Sequence, residues 1–171
     1  MIFNYELGLE KEHMESRKVN YRQAVRAIIF KDNKILMVHT NKGDYKFPGG
    51  GVNKEEAFEE ALMREVCEET GYTVSNVLGK MGVMVERKID DFDEASMFEM
   101  TSHYYLCEVS NIKTAQTLDD YEADLDFQPI WLFIDEAIKI NEEILKKDFN
   151  DRNPWVDRDT LALKELRKIK G

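Results

Sequence analysis

Cations, cysteine and proline are what this chain has little of. Its 171 residues carry 24 Lys and Arg against 34 Asp and Glu, a formal net charge of −10. So acidic a surface is ill suited to holding long nucleic acid by its phosphates. A small anionic ligand must therefore be met by local cations or by a metal. The two cysteines, Cys67 and Cys107, form no motif and fit a reducing compartment. No apolar run approaches the ~20 residues of a membrane span. The N-terminal MIFNYELGLEKEHMESRK is acidic and has no signal-peptide core. The expectation is a cytoplasmic protein without membrane association. Three prolines, no Ser- or Pro-rich linker and no internal repeat make residues 1–171 read as a single domain.

What is present is an interleaving of strand and helix patterns. RQAVRAIIF and KILMVHT are rich in β-branched residues and flank KDN, which predicts a hairpin. DYKFPGGGVN is a loop by its breakers. Residues 54–70 are helix formers, and Gly71 is a natural stop. YTVSNVLGKMGVMVERK predicts one or two strands, and IDDFDEAS an acidic turn. MFEMTSHYYLCEV and FQPIWLFI predict strands, and DEAIKINEEILKK a helix. A last helix is expected over about 154–169, with Asn153 as its cap and Pro154 in its first turn. Strands interrupted by helices predict an α/β (α+β) layer fold with a mixed sheet.

The helix at 54–70 crowds Glu65, Glu68 and Glu69 near its C-terminus. There they repel one another and oppose the helix dipole. At ~100° per residue, Glu65 and Glu69 share a stripe with Phe58, Leu62 and Val66, and Glu68 lies on its edge. Two carboxylates thus aim at the protein body, whereas Glu56, Glu59 and Glu60 point elsewhere. Carboxylates so placed need a counter-charge, and the wheel turns Arg64 away from this face. One Arg cannot neutralise three Glu. A hard divalent cation would, and oxygen ligands suit Mg²⁺ or Mn²⁺. The preceding glycines, Gly49 to Gly51, let backbone approach a ligand and can offer N–H groups to phosphate.

The stretch GGVNKEEAFEEALMREVCEETGY resembles the Nudix box: Gly, five residues, Glu, seven residues, then Arg-Glu-apolar-x-Glu-Glu-x-Gly-apolar. Gly50, Glu56, Arg64, Glu65, Val66, Glu68, Glu69 and Gly71 fit it, and Tyr72 stands where an aliphatic residue is commoner. With the preceding hairpin and FQPIWLFIDEA, the resemblance covers a core of about 20–140. An N-terminal extension, 1–19, and the C-terminal helix lie outside it. It implies a Nudix-type α/β/α sandwich. It also implies metal-dependent hydrolysis of a pyrophosphate bond in a nucleoside diphosphate linked to another moiety, by water attack on phosphorus. The metal ligands it implies are Glu65, Glu68, Glu69 and the Gly50 carbonyl, with Glu56 and Arg64 orienting them. The general base is left open among Glu65, Glu69 and the acids of TLDDYEADLDF, of which Glu122 is the favoured one; the other reading of that stretch is a solvated acidic loop.

The substrate-binding candidates are Arg26, on one strand face with Arg22 by alternation, and Lys46 beside the glycines. Tyr45, Tyr121 and Trp155 are able to stack a base, while Trp131 reads as core. His13, His39 and His103 have no ligand spacing. Residues 87–90, RKID, hold neither the proline of ADP-ribose enzymes nor the tyrosine of dinucleoside polyphosphate enzymes. The expected partner is a small phosphorylated nucleotide derivative, with a homodimer left open. The other reading is a catalytically weak Nudix domain that binds a nucleotide ligand or a protein. The intact REVCEE argues against it.

Overall fold

The computed structural model describes residues 1–170. β2 (Val19–Lys31) and β3 (Lys34–His39) form the expected hairpin, with Phe30 opposite Ile35 and Lys31 opposite Lys34. Asp32 and Asn33 make the turn at φ of 50° and 63°, the left-handed pair that a two-residue hairpin needs and that Asp and Asn tolerate. β5 (Tyr72–Ile89) is one strand, bent at four register shifts, and pairs antiparallel with β6 (Met97–Lys113). β6 runs parallel to β2. β1 (Phe3–Gly8), from the segment outside the resemblance, adds parallel to β5. The order is β1-β5-β6-β2-β3-β4, where β4 is Tyr45–Lys46, and β7 (Gln128–Leu132) also pairs with β3.

Helices cover both faces of this mixed sheet. On β2, Val25, Ala27 and Ile29 pack with Ala61, Leu62 and Val66 of α1 (Phe58–Thr70). Ile28 points the other way, into a core shared with Phe47, Tyr104, α3 (Ile134–Leu145) and α4 (Val156–Lys170). Burial on both faces is why this strand reads as an unbroken apolar run rather than an alternating one. The result is an α/β/α sandwich.

Three local expectations need correction. α1 begins at Phe58, not at 54, because Glu55 takes φ 65° and the Asn53 N–H donates to the Glu56 carboxylate at 2.9 Å, which holds 53–57 as a loop. Gly71 does end it, at φ 75°, with its N–H given to the Cys67 carbonyl at 2.9 Å. Asn153 is not the cap of α4, which starts at Val156. Its amide is buried and donates to Asp44 at 2.8 Å and Thr40 at 3.1 Å. The acidic stretch before β7 holds a single helical turn, α2 (Asp120–Asp124). It is closed reciprocally by Asp119 and Glu122, each carboxylate accepting the other's N–H at 2.8 and 3.0 Å.

Candidate active site

The glycine loop runs antiparallel beside β2. Ala27 and Val25 donate to the Pro48 and Gly50 carbonyls at 2.8 and 2.9 Å, and Val52 donates to Gln23 at 2.9 Å. Gly49 sits at φ 143°, and a Cβ there would lie 2.0 Å from the Val25 carbonyl oxygen. A Cβ on Gly50 would lie 2.4 Å from Oε2 of Glu65. Only backbone fits between this strand and the first carboxylate.

α1 turns Glu65 and Glu69 inward, 8% and 2% exposed. Glu69 accepts from Lys46 Nζ at 2.5 Å and from the Gly49 N–H at 2.9 Å. α2 then brings Glu122 to them, so that one oxygen from each of Glu65, Glu69 and Glu122 lies within 4.8 Å of the others. Glu68 is outside this group, with its side chain 37% exposed and 3.3 Å from Arg64. Of the two glycine carbonyls, Gly50's is engaged by Val25, whereas Gly49's faces Arg26 at 2.8 Å and Lys46 at 3.3 Å.

Arg64 is closer to the acids than its wheel position predicts, because its long side chain reaches round the helix. It donates to both oxygens of Glu56 at 2.7 and 2.9 Å, to Glu65 at 2.6 Å and to the Gly51 carbonyl at 3.0 Å. Glu56 is therefore bound into the loop rather than left to solvent. Lys46 and Arg64 together offset much of the repulsion expected among the three helix glutamates.

Burial pushes the Glu69 carboxyl up to about 7, against the pull of Lys46 and the Gly49 N–H. Burial also raises Glu122 above its ordinary value, partly countered by the Asp119 N–H. Arg64 holds Glu56 down at about 2.

These groups open onto a cleft of about 970 Å³, lined also by Arg22, Arg26, Tyr121 and Trp155. Tyr45 and Trp131 are elsewhere. Tyr45 meets the His39 ring at a 46° tilt with 4.8 Å between centroids, and half-buried Trp131 donates to the Tyr72 hydroxyl at 3.0 Å. Sequence reasoning missed two residues of α4. Asp159 accepts from the Phe47 N–H at 3.0 Å, from Arg158 Nε at 2.8 Å and from the Tyr104 hydroxyl at 3.2 Å. Arg158 donates onward to Glu86 at 3.1 Å. The one local signal was a charged pair two residues into a helix whose Val156, Ala162, Leu163 and Leu166 are all buried.

Comparison with known proteins gives a match to the family model for the NUDIX domain over residues 20–159. An ADP-ribose pyrophosphatase of Methanocaldococcus jannaschii is 47% identical over 62 residues, 33% of this chain and 37% of that protein. A putative 8-oxo-dGTP diphosphatase, YtkD, of Bacillus subtilis is 44% identical over 57 residues, 32% of this chain and 35% of that one. The matched stretch thus spans little more than a third of either relative. Among solved structures, a NUDIX hydrolase from Nitrosomonas europaea superposes with a TM-score of 0.56 at 19% identity, covering 87% of this chain and 91% of its own, a likeness of fold. Among the described residues, no helix is long and apolar enough to cross a membrane.

Proposed function

The chain belongs to the Nudix family, and on that premise we propose that it is a hydrolase that cleaves a pyrophosphate bond in a small nucleoside diphosphate derivative, in the cytoplasm, with Mg²⁺ or Mn²⁺. The observation that carries this reading is the convergence of Glu65, Glu69 and Glu122 on one cleft. Their oxygens are hard donors of the kind a dication takes; Lys46 is set against Glu69, and Arg64, which Glu56 shares, against Glu65. Glu65 and Glu69 are the donors we assign to it, with Glu68 at the rim; the Gly50 carbonyl expected beside them accepts from Val25, and the Gly49 carbonyl from Arg26 and Lys46. Glu56 and Arg64 hold α1 and the glycine loop in register for that role.

A bound dication polarises phosphoryl oxygens and lowers the pKa of the attacking water. Glu122, its carboxyl raised by burial above the ordinary value, takes the proton from that water. The water oxygen bonds to phosphorus, the bridging P–O bond breaks, and the second phosphate leaves. Lys46 and Arg26, both in the cleft wall, bear on the phosphates. The names of the two relatives, one for ADP-ribose and one for 8-oxo-dGTP, support a nucleotide-derived substrate.

A panel of nucleoside triphosphates, nucleotide sugars and dinucleotides, each with Mg²⁺ or Mn²⁺, tests this by phosphate release after a coupled phosphatase. Reaction in ¹⁸O-water is expected to label one phosphorus. Turnover of phosphate monoesters with pyrophosphate bonds untouched would overturn the reading, and no turnover at all would favour a ligand-binding module.

A further inference from the structure

Two guanidinium groups in the cleft wall are buried with donors to spare. Arg26, from β2, is 6% exposed, and Arg158, from α4, is 1% exposed. Arg26 gives Nη1–H to the Gly49 carbonyl at 2.8 Å, and its Nε–H has no acceptor. Arg158 gives Nε–H to Asp159 and Nη1–H to Glu86, and its Nη2 has no acceptor. Folded proteins seldom leave a buried charged donor unmatched, because the lost hydration is not recovered.

The charges are unbalanced in the same place. Lys46 is answered by Glu69, and Arg158 by Asp159 and Glu86. Among the described residues Arg26 has no carboxylate within ion-pair distance. Burial, and then the neighbouring Arg158 guanidinium, pull Arg26 below its usual range. One positive charge and two donor nitrogens are left for something that this chain does not supply.

We propose that Arg26 and Arg158 form a phosphate subsite that grips one phosphoryl group of the substrate beside the carboxylate cluster. This rests on the hydrolase reading for the identity of the ligand. A guanidinium matches phosphate oxygens in shape as well as charge. Both groups are held before any ligand arrives. Asp159 braces Arg158 and also accepts the Phe47 N–H. Arg26 is braced by the Gly49 carbonyl, in the loop that touches Glu65 and Glu69. A phosphate gripped here is therefore set in register with the reacting end of the cleft.

The test uses inorganic pyrophosphate as probe, in EDTA, read by titration calorimetry. Wild-type protein is expected to bind it without metal. Arg26→Gln should weaken binding at least about tenfold, since a hydrogen bond to a charged group is lost along with the charge. Arg26→Lys should recover part of it. Arg158→Lys keeps the charge beside Asp159 but loses the fork, and should also weaken binding. Thermal melts of each variant confirm that it is folded. Arg167→Gln, which removes one charge from the far end of α4 where Arg167 meets Asp135, is the control for bulk charge and should bind as wild type does. Equal affinity of wild type and folded Arg26→Gln, or no metal-free binding by wild type, overturns the subsite. Intact pyrophosphate binding with no hydrolysis of any substrate would instead sink the hydrolase reading and leave the subsite standing.

Discussion

Glu69 is pulled two ways. Dehydration favours its neutral form, while Lys46 at 2.5 Å and the Gly49 N–H favour its charged one. With burial ahead, its folded pKa of about 7 lies above the unfolded 4.5. Below the lower value both states hold the proton. Between the two only the folded state does, so metal-free stability falls as pH rises through that window and levels off above it. In EDTA, urea midpoints at about pH 5 and about pH 8 should show wild type losing stability relative to Glu69→Gln, which has no such proton to release. A constant gap between the two would mean that Glu69 titrates at its ordinary value. The same substitution should lower turnover at least ~10²-fold with the fold retained. Glu59→Gln, on the exposed side of α1, should leave steady-state rates close to wild type. Near-normal rates in Glu69→Gln would remove it from the site.

At the level of elements, α1 and the glycine loop work as one part. Arg64 ties the helix to the Gly51 carbonyl and to Glu56, and Gly50 leaves the gap into which the Glu65 carboxylate fits. Gly50→Ala needs no unusual backbone angle but displaces that carboxylate. It should cost about 10²-fold in kcat, the scale of an ångström of misplacement, with a melt little changed. Unaltered kcat would show that Glu65 has room to move. Gly49→Ala, by contrast, meets both a φ of 143° and the Val25 carbonyl, and strain of that kind costs about 1–3 kcal/mol of stability. The α1 face was legible in the sequence because Phe58, Leu62, Val66, Glu65 and Glu69 recur at helical period, which needs no knowledge of the partner. The β2–β3 hairpin was legible from two β-branched runs and a turn that fits Asp and Asn. Arg158, Asp159 and the pairing of Lys46 with Glu69 were not, because they are contacts between distant segments and no local pattern encodes them. Asn153 misled for the complementary reason: its local role as a cap lost to Asp44 and Thr40, which become its neighbours only in the fold.

For the molecule as a whole, with a net charge of −10 and three carboxylates gathered in one cleft, a dication bound as proposed would be a stabiliser. Binding to the folded state alone contributes RT ln(1 + [L]/Kd), about 2.7 kcal/mol at a hundredfold excess over Kd. For a chain of this size that raises Tm by roughly 2–4 °C per kcal/mol. Millimolar Mg²⁺ or Mn²⁺ should therefore raise Tm by several degrees where Na⁺ at matched ionic strength does not, and Glu69→Gln should lose much of the rise. Equal increments in the two proteins would show that the cation binds elsewhere. The bond from the Phe47 N–H to Asp159 spans 112 positions of the chain, and it sets an order of events in time. Closing so long a loop is slow relative to forming α1 or the β2–β3 hairpin. Of the ties on the segment that carries Lys46 and Gly49, the one to α4 thus forms last. On refolding, catalysis should return after the helical signal has already recovered. During synthesis that tie waits until α4 has been made and has docked.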